Sequence, residues 1–426
     1  MEAIIKIRTD RQYIFTCMFN LFLVFLVFDP MRERLELSIV NSIISIARDL
    51  LILLLIGWLF LCRSKVKGSV FFLAFGFSYI AMFILSFIVD VDIKDSLTAL
   101  YWLLRSLLLC LVIYNLDGLY CQSYLYLLKF YVILACLNFF VTLLVYFAFP
   151  EIIPDNFYMS RISIGNPSVQ SILYLTAFSL VFIYCPFRKS INTIISSILL
   201  LAAIATVTAT AFVGIVVIFI FTFTKRAFFF KWLYNAILVA LLIILAISIS
   251  GIDLEHLFSL ISSKSNELVH HISSVINETQ TSSTSYGIRE EQIENYKNNV
   301  FWVEMLFGDG HFSMLDPDKL MIENTYWALL KDFGIYGLSV YLIFLLCSLY
   351  RGFINYRRNN HSTSLIIAAL LIAAYSFTLY LFAGMYLMLP FFLYFWIVYN
   401  LESQENATMD VHHANSAYCA NEIAAS

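Results

Sequence analysis

The chain has 426 residues, of which 61% are hydrophobic, 17% aromatic and only 13% charged. An ordinary soluble domain carries about 25% charged residues, so there is too little polar surface here to cover a soluble protein of this size. A formal net charge of -3 gives no basis for a nucleic-acid-binding surface or for a strongly anionic partner.

Apolar runs of the length that crosses about 30 Å of hydrocarbon recur along the whole chain. They fall at residues 12–28, 43–62, 69–90, 97–114, 124–149, 167–186, 191–206, 210–224, 233–250, 322–350, 365–383 and 385–400. The reading is an all-α polytopic membrane helix bundle of about twelve spans. The first run follows Lys6, Arg8 and Arg11, and Asp29-Pro30 with Arg32-Glu33-Arg34 come after it in place of a small-residue cleavage site. It reads as a retained first helix.

With the N-terminus inside, the loops carrying Arg63, Lys65 and Lys67, then Arg188-Lys189, Lys225-Arg226 with Lys231, and Arg351 with Arg357-Arg358 all fall on the cytoplasmic side. Both termini are then cytoplasmic. The opposite loops are acidic or mixed, such as Asp90 and Asp92 with Lys94 and Asp95, or nearly charge-free, such as 151–160. The eight cysteines, Cys17, Cys62, Cys110, Cys121, Cys136, Cys185, Cys347 and Cys419, lie in apolar runs or in segments assigned to the cytoplasm, so no disulfide framework is expected.

The chain divides into helices 1–9 over residues 1–250, one large outer loop over 251–321, helices 10–12 over 322–400, and a polar cytoplasmic tail over 401–426. The loop is too long for a turn. Leu254, Leu257, Phe258, Ile261, Leu268, Val269, Ile272 and Ile276 have helical spacing, which predicts an amphipathic helix lying on the bilayer or the bundle. A Ser/Thr-rich break at 279–285 precedes a second helical stretch with Ile293, Tyr296, Val300 and Val303, and Phe307-Gly-Asp-Gly310 ends it. Eleven acidic residues against four basic ones in the loop exclude a polybasic lipid anchor and make Arg289 conspicuous.

Three stretches carry candidate chemistry. In Arg161-Ile-Ser-Ile-Gly165-Asn166-Pro167 a guanidinium precedes a Gly-Asn-Pro helix start. Exposed N–H groups and a cation there suit an anionic oxygen such as a phosphate. An arginine snorkelling to headgroups beside an ordinary helix start is the equal alternative. The second stretch runs from Gly287-Ile-Arg289 through Trp302 to Gly308-Asp-Gly310, and the third from Ile322-Glu323-Asn324-Thr325-Tyr326-Trp327 to Gly334-Ile-Tyr-Gly337. Glu323, held beside Tyr326 and Trp327, is a candidate base, and an acid that favours a helix N-terminus is its simpler reading.

Inside the spans, Arg48, Arg105 and Lys331-Asp332 are costly charges that ordinarily face a bundle interior. Arg48 lies about one turn from the outer end of its helix, within reach of an outward-facing cavity. Arg105 reads as a buried structural partner of a carboxylate, Asp332 or Asp49. Neighbouring His270-His271 point in different directions on a helix and lack companion ligands, so no metal site is expected. Glycine motifs for nucleotides are absent from the sequence.

These motifs resemble those of the O-antigen polymerases, within the wider group of O-antigen ligase and polymerase membrane proteins. Arg161, Gly165, Asn166 and Pro167 match that family's arginine before a Gly-x-Asn-Pro-like helix start. Arg289 matches the arginine opening the helical part of the periplasmic loop, and Gly308 and Gly310 match the Gly-x-Gly that ends it. Two departures stand out: Glu323 occupies the place where ligases have histidine, and Thr206-Val-Thr-Ala-Thr-Ala-Phe lacks the family's Ser-Arg pair.

The resemblance implies glycosyl transfer at the periplasmic face of the bacterial inner membrane between undecaprenyl-pyrophosphate-linked oligosaccharides, in lipopolysaccharide biosynthesis. It implies no cofactor, neither nucleotide nor metal, because the donor is lipid-activated. Arg161, Arg289 and Glu323 take the catalytic roles, Arg48, Asn166, Asn324 and Tyr326 substrate-binding ones, and Gly165, Pro167, Gly308, Gly310 and Arg105 structural ones. A chain-length regulator is an expected partner. The ligase that transfers polymer to lipid A-core, and a flippase for lipid-linked oligosaccharide, are the alternatives. The flippase would not need the long outer loop, and no internal symmetry of related halves is visible.

Overall fold

The structure is a computed structural model and describes residues 2–32, 38–62, 93–117, 119–120, 122–149, 162–164, 166–223, 226–250, 293–294, 296–297, 300, 302–308, 324–354, 356 and 360–401. Among the described residues every regular element is helical. They are α1 (Glu2–Arg32), α2 (Ser38–Cys62), α3 (Ile93–Tyr114), α4 (Tyr124–Ala148), α5 (Pro167–Tyr184), α6 (Lys189–Ala205), α7 (Ala209–Phe223), α8 (Arg226–Ser250), the short α9 (Trp302–Phe307), α10 (Thr325–Ile354), α11 (Asn360–Ser376) and α12 (Met385–Leu401), with a 3₁₀ turn at Leu381–Ala383.

Five of these helices contain stretches long and apolar enough to cross a membrane: Gln12–Met31, Asn41–Cys62, Tyr124–Ala148, Pro167–Tyr184 and Thr325–Ile354. Shorter apolar helices lie on the other expected runs, except 69–90, which is outside the described residues. Large apolar side chains stand outward on α2 (Ile46, Leu50, Leu53, Leu61), on α4 (Leu137, Phe140, Leu144) and on α7 (Val216, Ile220). Water would not tolerate so wide an apolar exterior, whereas lipid does. The chain is a membrane protein.

Helix α5 is the central post. All of its residues except Ser168 and Tyr184 are buried, so its side chains meet protein on every side. The polar ones find partners there, as buried hydrogen-bonding groups must. Tyr131 on α4 lies 2.7 Å from Thr176, and Tyr174 donates to Asn138 Oδ1 at 2.7 Å. Similar polar contacts join the outer helices: Ser196 and Ser197 of α6 donate to Asn235 of α8, and Trp232 Nε1 of α8 donates to Thr222 of α7 at 2.7 Å.

Arg188, Lys189, Arg226, Lys231 and Arg351 sit at one end of the bundle, hereafter the basic end. Contacts there tie neighbouring helix ends together, with Tyr184 OH 3.0 Å from His361 Nδ1 and Tyr356 OH donating to Phe221 O at 3.0 Å. The starts of α5, α10 and α12 and the ends of α1, α6 and α11 define the opposite, far end.

Helix α1 extends past the apolar run, through Asp29 and Pro30 to Arg32, and Asp29 is buried against a cation instead of marking an exposed end. Helix α2 starts at Ser38, so Arg48 lies ten residues inside it and not one turn from its end. Helix α10 is interrupted at Gly334, whose φ of 64° and ψ of -167° are non-helical. Glycine alone visits such a backbone without strain.

Candidate functional site

The far end gathers the α6–α7 turn, the Phe377–Gly384 connection and the starts of α5, α10 and α12. At 1.5 Å per residue, α6, α7, α11 and α12 are only about 22–26 Å long, less than the ~30 Å of a bilayer core.

Local chemistry builds the α6–α7 turn. Thr206 Oγ1 donates to Ala203 O at 2.7 Å, closing the last turn of α6. Val207 is forced to a φ of 46°, unusual for a β-branched residue. Thr208 Oγ1 then accepts the Ala211 N–H at 3.2 Å and caps α7. Thr206, Thr208 and Thr210 form a buried hydroxyl row, with 3.5 Å and 3.4 Å between successive oxygens. Ile162, next to the predicted Arg161, donates its N–H to Ala205 O at 3.1 Å, which pins the approach to α5 onto this turn.

Asn166 is the N-cap of α5, accepting Ser168 N–H at 3.0 Å, and Pro167 occupies the first helical position. Proline is favoured there because its missing N–H needs no partner and its φ is preset. One turn on, Ser171 Oγ lies 2.7 Å from Tyr375 OH at the end of α11, and Thr210 of the threonine row is a near neighbour of the same hydroxyl. Beside it Tyr341 OH meets Ser376 Oγ at 2.5 Å.

Asn324 repeats the capping device at α10. Its Oδ1 accepts Tyr326 N–H at 2.9 Å and Trp327 N–H at 3.4 Å, while Nδ2 donates to Phe377 O at 3.4 Å. Thr325 Oγ1 donates to Leu379 O and accepts Leu381 N–H at 3.0 Å. Tyr326 OH donates to Ala373 O at 3.0 Å. The start of α10 is thus bound to the α11–α12 connection through side chains that compensate for its lack of helical hydrogen bonds.

The outer-loop residues that are described pack on the same part of α10. Tyr296 OH donates to Leu330 O at 3.4 Å, its ring stands edge-on to Trp327, and the Lys297 ammonium lies 4.8 Å from the Trp327 ring centre. Gly308, with φ of +90°, lies so close to the Asp332 carbonyl and the Phe333 nitrogen that a Cβ would collide with both. The α10 interruption at Gly334 is therefore the seat on which α9 ends. On its other side Asp332 Oδ2 accepts from Tyr380 OH at 2.5 Å.

Asn166, Asn324, Tyr326, Pro167 and Gly308 all belong to this far end. Arg161, Arg289, Glu323, Gly165 and Gly310 lie outside the described residues, as do His270 and His271.

Arg48 and Arg105 are elsewhere, in a buried ionic cluster between α1, α2 and α3. Arg48 Nη1 sits 2.5 Å from Asp29 Oδ2, and its Nε donates to Asp49 Oδ1 at 2.9 Å. Arg105 Nη1 lies 3.4 Å from Asp49 Oδ2. Of the two carboxylates the sequence offered for Arg105, Asp49 is the one it meets, while Asp332 meets Tyr380. Among the described residues the cluster pairs Arg48 and Arg105 with Asp29 and Asp49, and opposite charges held together are how a low-dielectric interior carries charge.

No protein-family model and no curated protein matches the chain. The likeness to O-antigen polymerases accordingly rests on the quoted motifs. Sequence reasoning missed Ser171, Tyr375, Tyr380 and the threonine row. The run Thr206-Val-Thr-Ala-Thr was visible, but its nearness to Tyr375, more than 160 residues away, was not.

Proposed function

We propose that this protein is a membrane glycosyltransferase of the O-antigen polymerase type. In this reading twelve spans place both termini in the cytoplasm and residues 251–321 in the periplasm of a bacterial inner membrane. Sugar repeat units arrive on undecaprenyl pyrophosphate. A hydroxyl of the acceptor unit attacks the anomeric carbon of the donor, the bond from that carbon to the pyrophosphate oxygen breaks, and the hydroxyl proton passes to a base. The leaving lipid pyrophosphate gains charge as it departs. Arg161 and Arg289 neutralise it, since guanidinium stays protonated and its fork matches phosphate oxygens, and Glu323 takes the proton.

The observation that carries the reading is the meeting of the described flanks of all three motifs at one end of the bundle. Ile162 is bonded to the α6–α7 turn, Tyr296 and Lys297 lie on Trp327, and Asn324 is bonded to Phe377. The hydroxyl-bearing contacts of Ser171, Tyr375, Tyr326 and Tyr341 join these flanks into one region. Arg48, consumed by Asp29 and Asp49, supports the reading as a scaffold residue rather than as a third phosphate ligand.

The test replaces Arg161 or Arg289 with alanine in a stably expressed variant and examines lipopolysaccharide by gel. Loss of the long-chain ladder with retention of single-unit core is expected. An unchanged ladder removes that arginine from the mechanism. A chromosomal null separates the two family activities, since loss of a ligase leaves core with no repeat unit at all.

A further inference from the structure

We propose that the corner of the basic end where α4 meets α6 binds an anionic phospholipid, whose phosphate is held by Lys129, Arg188 and Lys189. The three cations are gathered on the short connection between α5 and α6. The Lys129 ammonium, from α4, lies 5.9 Å from the ring centre of Phe187, and Phe187 immediately precedes Arg188. Two hydrogen bonds hold the connection in place: Phe187 N–H donates to Asn192 Oδ1 at 3.0 Å, and Asn192 Nδ2 donates back to Phe187 O at 2.6 Å. Arg188 is the N-cap residue of α6 but makes no side-chain cap there. Arg188 and Lys189 are both exposed, at the positive end of the helix dipole.

The protein brings no counter-charge to this corner. Residues 118–150 and 156–252 contain neither Asp nor Glu, so α4, α5, α6, α7 and α8 carry no carboxylate at all. Asp117, the acid nearest in sequence, accepts the Tyr124 hydroxyl at 3.0 Å. Among the described residues none of the three cations forms an ion pair. Lys231 of α8 is a contrasting case, because its ammonium lies 3.2 Å from Phe182 O and 4.6 Å from the Phe228 ring centre, so the protein itself occupies it. Fixed positive charge left over at a membrane surface attracts anionic headgroups.

The apolar surface next to the cations selects a lipid over a soluble anion. Counted from Lys129, the residues four, eight, eleven and fifteen positions on are Ile133, Leu137, Phe140 and Leu144, and all four stand outward. That spacing makes a single stripe along α4 with Lys129 at its basic end. On α6, Ile191 and Ile194 stand outward in the two turns after Arg188. The two helices touch. An amphiphile matches both halves of this surface, with acyl chains along the stripes and phosphate among the cations, while inorganic phosphate or a nucleotide matches only the cations. A phosphatidylglycerol-like headgroup fits better than a choline one, whose own cation would face three uncompensated positive charges.

The experiment is native mass spectrometry of the purified full chain, titrated with phosphatidylglycerol and with phosphatidylcholine of the same acyl chains. A preference for phosphatidylglycerol of at least about tenfold is expected of the parent. Lys129→Gln and Arg188→Gln should each weaken phosphatidylglycerol binding about fivefold, and the triple variant with Lys189→Gln should bind the two lipids alike. Lys129→Arg keeps the charge and should keep the preference. Arg351→Gln removes a cation from the same end but outside this corner, and should leave the preference unchanged. A parent without preference, a loss from Arg351→Gln equal to that from Arg188→Gln, or a loss from Lys129→Arg equal to that from Lys129→Gln each overturns the proposal. Displacement of the bound lipid by millimolar inorganic phosphate overturns it too, in favour of a soluble-anion site. The corner lies at the end opposite the proposed glycosyl transfer and the titration needs no sugar substrate, so the two readings fail separately.

Discussion

Removing the carboxylate of Asp29 tests whether the cluster between α1, α2 and α3 is a scaffold. Asp29 is fully buried and Arg48 nearly so, with Nη1 and Oδ2 2.5 Å apart. Asp29→Asn takes from Arg48 the carboxylate nearest its Nη1 and leaves that guanidinium one counter-charge short in a membrane interior. Taking one partner from a buried pair costs about 3–5 kcal/mol. Because Arg48 keeps the 2.9 Å bond from Nε to Asp49, the lower end, about 3 kcal/mol, is expected. Asp49→Asn should cost more, since Asp49 faces both arginines. Replacing both partners, as Asp29→Asn with Arg48→Met, removes charge of each sign and should recover most of the loss, leaving about 1 kcal/mol. The loss in the double variant should therefore fall well below the sum of the losses from Asp29→Asn and Arg48→Met made singly, which is the coupling the double-mutant cycle reads. The assay is reversible unfolding in mixed micelles, followed by tryptophan fluorescence. Additive losses in the double variant, or a cost for Asp29→Asn below about 1 kcal/mol, would refute the electrostatic argument.

Two further expectations concern the far end. Asn166→Ala removes the α5 cap and should cost about 1 kcal/mol, whereas Asn166→Asp keeps an oxygen for Ser168 N–H. Full polymer synthesis by Asn166→Asp, with reduced yield of folded Asn166→Ala, is the outcome expected for a cap. Loss of polymer in both variants at normal folded yield would instead give Asn166 a role at the substrate. Gly308→Ala places a methyl group against the Asp332 carbonyl at a φ of +90°. The loop should lift from α10, seen as faster proteolysis at residues 302–308, and an unchanged cleavage rate would show that this contact does not hold the loop.

Much of the helical organisation was legible because apolar run length is a local property. The runs at 167–186 and 210–224 became Pro167–Tyr184 and Ala209–Phe223 within a few residues, since lipid fixes how long an apolar helix must be. The helix start at Asn166-Pro167 was legible for the same local reason, whereas α10, expected from residue 322, starts at Thr325 behind an Asn324 cap.

The partner of a charge was not legible. Asp29-Pro30 looked like the polar end of a helix, and only the approach of α2 to α1 turned Asp29 into the counter-ion of Arg48. Nothing in the α10 sequence showed that the helix stops being helical at Gly334, because that glycine matters only where Gly308 and Tyr380 converge on its neighbours.

The sequence by itself determined that this chain is a bundle of apolar helices, and which short segments cap and punctuate them, since both follow from chemistry within a few residues of each position. Tertiary structure alone decided which buried polar groups meet. Asp29 with Arg48, Ser171 with Tyr375 and Asp332 with Tyr380 are separated by 19, 204 and 48 residues. In an apolar solvent each of these groups must find a partner somewhere in the bundle, and helix packing, not sequence spacing, selects which one.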